Sequence, residues 1–238
     1  MDRFAIENAN GSVVATGSRI DNNTGIGVAS HGGGATVNLT DCTISGNTGG
    51  GGGAYTGTFT ATSCTVSGNS AGSSVGGSLA AEMAALWPQS VRRLALIAPF
   101  GLFDEKDPVT DPWAQRAPDV PGLLCRDPAI YEALKAVPEG HNDPEWPIEQ
   151  TRAAEAAARI FWPLGNTKLE KRLPLITAPT LLLWGDHDAI MPRSYANRFA
   201  SGVAGKTEIK LIPGAGHLAE LDKPDDTAAA ILAWTAGK

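Results

Sequence analysis

The sequence predicts an α/β protein preceded by a short solenoid of parallel strands, and three observations support this prediction. A short motif recurs near the N-terminus at intervals just above twenty residues, which is typical of solenoid coils. Farther along the chain, apolar strand patterns alternate with helical patterns, as in parallel sheets covered by helices. The composition also changes sharply, since all 16 prolines and all 6 tryptophans of the 238 residues lie after residue 86.

The overall composition excludes several classes of protein. The formal net charge of -6 comes without any basic run, which argues against nucleic-acid binding. No apolar stretch is long enough to span a bilayer, and residues 1–10 lack the features of a signal peptide, so we expect a cytoplasmic chain. Cys42, Cys64 and Cys125 are too few and too scattered for a disulfide framework or a zinc site. We therefore expect no metal, no cofactor and a small-molecule substrate.

The N-terminal repeat is visible as three related heptapeptides. SRIDNNT, CTISGNT and CTVSGNS begin at residues 18, 42 and 64, so the offsets are 24 and 22 residues. Each unit also contains a short alternating strand, predicted at 35–39 and 58–62. Alternation places Val37 and Leu39 on one face, and the repeat places Ile44 and Val66 at equivalent positions in successive coils.

These repeats resemble the right-handed parallel β-helix repeats of bacterial surface proteins, over about residues 10–71. The resemblance implies a first domain at 1–71, in which each coil buries its core only against its neighbours. A disordered tract rich in Gly, Thr and Asn is the alternative.

A candidate nucleophile follows the repeats. Residues 72–76 read G-x-S-x-G, with Ser74 in the centre and a helical pattern over 78–86 behind it. Small residues suit the tight turn of a nucleophile elbow, and the Val75 backbone N–H would contribute to an oxyanion hole. Residues 68–72 offer a second match around Ser70, but we prefer Ser74 because a helix follows it directly.

A candidate acid and a candidate base follow two later strand patterns. The apolar run at 179–184 leads into Gly-Asp-His-Asp, and the pattern at 207–213 leads into Gly-Ala-Gly-His217. Polar side chains at the carboxyl ends of parallel strands lie where α/β folds place their active sites. Asp188 and Asp186 are both candidate acids, and the order Ser, Asp, His is that of the α/β-hydrolases.

Residues 72–238 resemble the C-terminal two-thirds of an α/β-hydrolase, on the motifs GSSVGGSLAAEMAALW, PTLLLWGDHDAIMP and IPGAGHLAELDKP. The resemblance implies a catalytic triad of Ser74, Asp188 and His217, because Asp188 fits G-x-x-D-x-x-x-P better than Asp186, which we interpret as a solvated loop carboxylate. It also implies a lid at about 101–172, with helical stretches predicted at 127–135 and 148–162.

The chain departs from the family pattern before the nucleophile. Repeats stand where the family has several strands and the loop that supplies the second oxyanion-hole donor. The segment Ser-His-Gly-Gly-Gly at 30–34 imitates such a loop, but we interpret it as a solenoid corner because Gly51–Gly53 is its equivalent in the next coil. We therefore expect an incomplete α/β-hydrolase fold with weakened catalysis.

Three functions from different classes remain compatible with the sequence. The first is a serine hydrolase acting on carboxylic esters or related acyl compounds through the triad. The second is a β-helical surface or adhesion module with a vestigial hydrolase fragment. The third is an inactive chimera, and the sequence leaves the oligomeric state open.

Overall fold

The computed structural model describes most of the hydrolase-like part and the strands of the repeat part. The described residues are 4–8, 11–21, 26–30, 36–45, 52–54, 58–62, 65–67, 75–137, 144–162 and 164–236. Ser70, Ser74, Cys64 and residues 31–34 lie outside these ranges.

The described residues of the repeat part form short strands joined in parallel. The strands are β1 (Phe4–Asn8), β2 (Ser12–Thr16), β3 (Arg19–Asp21), β4 (Ile26–Ser30), β5 (Thr36–Thr40), β6 (Thr43–Ser45), β7 (Gly52–Ala54), β8 (Thr58–Thr62) and β9 (Thr65–Ser67). Each of the strands β1 to β6 pairs with the strand three places later in the chain. Three sheets result, with the orders β1-β4-β7, β2-β5-β8 and β3-β6-β9.

The strand register reproduces the spacing of the sequence repeat. Ile20 lies opposite Ile44, and Ile44 lies opposite Val66, as the repeat predicts. The strands predicted at 35–39 and 58–62 are observed as β5 and β8. Interpretation of these parallel ladders as a β-helix stays a prediction.

An apolar cluster lies between these strands. In β5, Val37 and Leu39 are buried while Asn38 between them is exposed, which confirms the predicted alternation. Val28 and Ile20 from neighbouring strands complete the cluster together with Cys42. The Cys42 thiol donates to the Ala15 and Thr40 carbonyl oxygens, at 3.4 and 3.3 Å, so this cysteine behaves as a small core residue.

The helix that follows the candidate nucleophile is α1 (Val75–Leu86), and strand β10 (Leu94–Ile97) comes next. Ala81, Ala84 and Ala85 form a buried face of small side chains. A Cβ atom on Gly77 would lie 3.0 Å from Pro99 Cβ, so the helix packs closely against the chain that leaves β10.

Helix α1 is also held by an ion pair. The Arg172 guanidinium donates two hydrogen bonds to the Glu82 carboxylate, one on each oxygen. Both side chains are partly buried, and this two-point geometry is the arrangement in which an ion pair stabilises most.

Two further strands continue the α/β part, β11 (Thr180–Gly185) and β12 (Thr207–Ile212). Near their starts, the Leu94 N–H donates to the Pro179 carbonyl and the Thr180 N–H donates to the Lys206 carbonyl. The strand order is therefore β10-β11-β12, with β11 in the middle. All six residues of β11 are buried, as expected for a central strand covered on both faces.

The chain divides into two compact units. The first comprises Met1–Pro99, Arg172–Thr180 and Val203–Thr207, and the second comprises Phe100–Lys171, Leu181–Gly202 and Glu208–Lys238. The predicted domain boundary between residues 71 and 72 falls within the first unit, outside the described residues, and stays a prediction.

The second unit contains the remaining helices, most of which begin at or just before a proline that suits a first helical turn. They are α2 (Val120–Leu124), α3 (Pro128–Leu134), α4 (Trp146–Phe161), α5 (Ser194–Gly202), α6 (Ala219–Asp222) and α7 (Pro224–Ala236). The helical stretches predicted at 127–135 and 148–162 are observed as α3 and α4. Their assignment to a lid stays a prediction. Among the described residues, no helix combines the length and apolarity needed to cross a membrane.

The packing of β5 generates a stability prediction. Leu39→Ala removes a side chain that is 1% exposed and should lower the free energy of unfolding by about 2–5 kcal/mol. Asn38→Ala, at the exposed neighbouring position, should change it by less than about 0.5 kcal/mol. Urea denaturation followed by circular dichroism measures both. Equal shifts for the two variants would contradict the observed alternation.

Candidate active site

The second unit brings together two of the predicted site residues, Asp188 and His217. The His217 Nδ1 atom lies 2.9 Å from Asp188 Oδ2 and 3.1 Å from Asp188 Oδ1. Their side chains are 1% and 2% exposed, for His217 and Asp188 respectively. A carboxylate accepts but does not donate, so His217 donates its Nδ1 proton to Asp188. The other ring nitrogen, Nε2, then carries the free lone pair and can act as a base.

The loop after β11 fixes the Asp188 carboxylate. Besides His217, Asp188 Oδ1 accepts the backbone N–H groups of Ile190 and Met191, at 2.9 and 2.8 Å. The Met191 carbonyl in turn accepts the indole N–H of the fully buried Trp184, at 2.9 Å. The strand that delivers Asp188 therefore also anchors the turn that holds its side chain.

The loop that carries His217 packs against the end of β11. A Cβ atom on Gly185 would lie 2.5 Å from the Ala215 carbonyl oxygen and closer still to that of Gly216. Only glycine permits this approach without a backbone shift. The His187 N–H donates to the Ala215 carbonyl at 3.0 Å, which ties the two loops together directly beside the Asp–His pair.

Asp222 holds the His217 loop from its other side. Its Oδ2 atom accepts the N–H groups of Gly216 and Arg126, at 2.6 and 2.7 Å. The Leu218 N–H also donates to the Leu124 carbonyl, at 2.8 Å. Leu218 is therefore tied to the end of α2, and Gly216 is tied through Asp222 to the residue Arg126 just beyond it, so the chain on both sides of His217 is held in place.

Asp186, the alternative acid, contacts other residues than His217. Its Oδ1 accepts the Gly214 N–H at 2.8 Å and lies 3.3 Å from Nδ1 of His187, whose side chain is half exposed. Asp186 is exposed, in keeping with its interpretation as a solvated loop carboxylate, and it also joins the loop after β11 to the loop after β12. The carboxylate within hydrogen-bond distance of His217 Nδ1 is that of Asp188, not that of Asp186.

Of the other two predicted site residues, the structure describes Val75 but not Ser74. Val75 is the first residue of α1, so its N–H belongs to the first helical turn, where backbone N–H groups lack intrahelical acceptors. Ser74 lies outside the described residues, as do the competing Ser70 and the histidine-glycine segment at 31–34. Their assignments stay predictions.

Sequence analysis missed the buried groups next to His217. Burial, with the charges of Asp222, Glu220 and Asp127, raises the pKa of the Cys125 thiol to about 12. Burial also raises the pKa of Glu220. Acidic residues directly after His217 are visible in the sequence, but only the fold shows which is buried. Among the described residues, no group of three or more His, Cys, Asp or Glu side chains suits a metal ion.

This arrangement defines a class of enzyme chemistry. A buried imidazole oriented by a carboxylate, carried on loops that follow two parallel strands, can remove a proton and return it. The order of acid and base along the chain matches the nucleophile-acid-base order of α/β-hydrolase folds.

The comparisons with known proteins agree with this class. A family model described as "Alpha/beta hydrolase family" matches residues 63–230. The chain belongs to the alpha/beta hydrolase family, which confirms the predicted resemblance, although the match begins at residue 63 rather than 72.

Individual relatives are distant. Human "Monoacylglycerol lipase ABHD6" is 23% identical over 190 residues, covering 68% of this chain and 53% of the relative. The "Dihydrolipoyllysine-residue acetyltransferase component of acetoin cleaving system" of Pseudomonas putida is 26% identical over 179 residues, covering 68% and 43%. The chain thus spans about half the length of the curated relatives it matches.

A solved structure shows the same fold. The 2-hydroxy-6-oxo-6-phenylhexa-2,4-dienoate hydrolase (BphD) from Rhodococcus sp. strain RHA1 matches with a TM-score of 0.52 and 18% identity. The match covers 69% of this chain and 62% of that chain. At this identity the likeness concerns the fold alone.

The contact between the two loops generates a prediction about Gly185. Gly185→Ala should lower the free energy of unfolding by about 1–3 kcal/mol, because the new Cβ meets backbone carbonyls rather than a flexible side chain. Thermal unfolding monitored by tryptophan fluorescence measures the change.

Gly122→Ala is the matched control. In α2 the nearest atom to a new Cβ is Pro128 Cγ at 3.8 Å, an ordinary contact. Alanine also suits a helix better than glycine, so this variant should be neutral or more stable by up to about 1 kcal/mol. A Gly185→Ala variant as stable as Gly122→Ala would mean that the loops can separate without cost.

Proposed function

We propose that this protein hydrolyses carboxylic esters with Ser74 as nucleophile, His217 as general base and Asp188 as the acid that orients it. The buried His217–Asp188 contact carries the proposal. Its Nδ1–H bond to a carboxylate selects the tautomer that a serine hydrolase requires. Family membership and the G-x-S-x-G motif before α1 support Ser74.

The proposed reaction has two halves. His217 Nε2 takes the Ser74 hydroxyl proton as Oγ attacks the ester carbonyl, and it then gives that proton to the departing alcohol. A water molecule, deprotonated by the same nitrogen, attacks the acyl-serine ester, and the carboxylic acid leaves with restoration of the serine hydroxyl. Asp188 stabilises the imidazolium in both halves, and the Val75 N–H donates to the developing oxyanion.

The substrate class follows from the relatives and the residues of this site. One relative is named a monoacylglycerol lipase, and a monoacylglycerol is an ester of the small polyol glycerol. A serine nucleophile suits acyl transfer from such an ester. We therefore propose a small ester with a compact alcohol part as the substrate.

We also propose that the N-terminal ladders form a short β-helix. Three parallel sheets, and buried Val28, Val37 and Leu39 between them, support this interpretation. The segment would then be a separate stack of coils, and it would not replace the strands that the hydrolase family has before the nucleophile.

The nucleophile assignment predicts the result of covalent labelling. A fluorophosphonate probe should modify the wild-type protein, because it reacts with a serine activated by a neighbouring base. Ser74→Ala should abolish the labelling, and Ser70→Ala should leave it unchanged. In-gel fluorescence measures both, and labelling that survives Ser74→Ala would assign the nucleophile elsewhere.

The two aspartates predict different losses of turnover. Asp188→Asn should lower kcat for a p-nitrophenyl ester by about 10³- to 10⁴-fold, because the amide favours the wrong imidazole tautomer. Asp186→Asn should lower it by less than about tenfold, since the Asp186 carboxylate contacts the Gly214 N–H and His187 rather than His217. Steady-state kinetics on the two variants provides the comparison, and the reverse ranking would transfer the role to Asp186.

A further inference from the structure

One peptide group links the Asp188 carboxylate to a distant part of the chain. The Ile190 carbonyl and the Met191 N–H belong to the same planar peptide group, so they move together. The N–H donates to Asp188 Oδ1 at 2.8 Å, and the carbonyl accepts the Thr110 N–H at 2.9 Å. Thr110 comes from the chain that follows β10, which we call the entry segment (residues 101–110). The position of the entry segment therefore orients one of the hydrogen-bond donors to Asp188.

Helix α5 holds the entry segment through a buried tyrosine. The hydroxyl of the fully buried Tyr195 accepts the Asp104 N–H at 2.7 Å and donates to the Asp107 carbonyl at 2.9 Å. Burial raises the pKa of the Tyr195 phenol, so the hydroxyl keeps the proton that it donates. The preceding residue, Ser194, donates its hydroxyl to the Asp107 carboxylate at 2.6 Å. These contacts fix the chain shortly before Thr110.

Arg198 lies one helical turn after Tyr195 and binds the same segment. Its guanidinium lies 3.2 Å from Asp104 Oδ2 and 5.6 Å from the centre of the Tyr195 ring. It also lies 3.3 Å from Glu170 Oε2, in the part of the chain that leads back toward β11. The Arg198 side chain is partly exposed, and exposed ion pairs stabilise a protein little. The buried hydroxyl of Tyr195 is therefore the stronger hold on the entry segment, and Arg198 supports it.

We propose that Tyr195 is a positioning residue for the Asp188–His217 pair. Its hydroxyl fixes the entry segment, and the entry segment orients the Met191 N–H through Thr110. That N–H holds the carboxylate to which His217 donates. The proposal rests on the proposed ester hydrolysis, in which Asp188 must keep the imidazole oriented while the charge on the imidazole changes.

The kinetic effect of such a residue differs from that of a residue that binds substrate. Tyr195 is fully buried and acts through the backbone of other residues, so it contributes to orientation and not to contact with an ester. Orientation of the imidazole is needed when the proton moves, and less so when the ester binds. A small displacement of a catalytic group can cost up to about 10²-fold in rate. Loss of the Tyr195 hydroxyl should therefore lower kcat and leave KM nearly unchanged.

The kinetic test removes a single oxygen atom. Tyr195→Phe keeps the aromatic ring in the core and should lower kcat for a p-nitrophenyl ester about tenfold, with KM within about twofold of wild type. Tyr131→Phe, which removes the hydroxyl of a half-buried tyrosine on α3, is the matched control and should leave both constants unchanged. A wild-type kcat in Tyr195→Phe, or a change confined to KM, would overturn the proposal.

Amide hydrogen exchange followed by NMR tests the positioning without turnover. Tyr195→Phe should accelerate exchange of the Thr110 and Met191 N–H groups about tenfold more than exchange of the Leu182 N–H. Leu182 is fully buried in the central strand β11, so its exchange reports the stability of the fold as a whole. Equal acceleration at all three positions would show that the hydroxyl only stabilises the fold, and the proposal would be wrong.

A second variant tests the transmission if Tyr195→Phe fails to fold. Arg198→Met leaves the buried hydroxyl in place and removes the partly exposed ion pair with Asp104. It should accelerate exchange at Thr110 and Met191 by about threefold relative to Leu182. Unchanged exchange at Thr110 and Met191 would overturn the proposal, because the entry segment would then not transmit its position to the loop.

The two kinds of measurement separate this proposal from the proposed reaction. If the wild-type protein hydrolyses no ester and Ser74 stays unlabelled, the proposed reaction fails. The exchange rates of Thr110 and Met191 still decide whether Tyr195 holds the loop of Asp188. Hydrolysis by the wild type together with unchanged relative exchange in Tyr195→Phe would keep the reaction and overturn the positioning role.

Discussion

The close approach of Gly185 to the carbonyls of Ala215 and Gly216 is the constraint on which the site depends. Strand β11 ends at Gly185, and the next residues, with the His187 N–H on the Ala215 carbonyl, run alongside the loop that carries His217. A side chain at position 185 would push the two loops apart. Because Asp188 and His217 lie on these separate loops, their 2.9 Å contact exists only while the loops touch.

Burial of the Asp188–His217 pair would be costly if either side chain lacked partners. A desolvated carboxylate needs several donors, and Asp188 has Ile190, Met191 and His217. Exclusion of water has a benefit, since electrostatic interactions strengthen in a medium of low polarity. The fixed carboxylate can then stabilise positive charge on the imidazole without reorganising during a reaction.

Local motifs predicted the parts of the fold and site that depend on short stretches of sequence. Asp188 and His217 follow strands and stand in recognisable contexts, and alternation in β5 predicted that Val37 and Leu39 are buried. The role of Asp222 was beyond such reasoning, because two of the backbone N–H groups it binds belong to residues more than ninety positions away. The contact between Asp186 and Gly214 was beyond such reasoning too, since Gly214 belongs to another loop.

Four acids near His217 show how environment, rather than residue type, separates roles. Asp186 and Asp222 bind backbone N–H groups and so hold the loops on either side of the imidazole. Asp188 combines backbone N–H donors with the imidazole itself, which makes it the acid that can respond to charge on His217. Glu220 has a shielded oxygen that no described residue binds. The fold therefore commits three of these carboxylates to geometry, and only the one that also contacts the imidazole combines a structural with a chemical role.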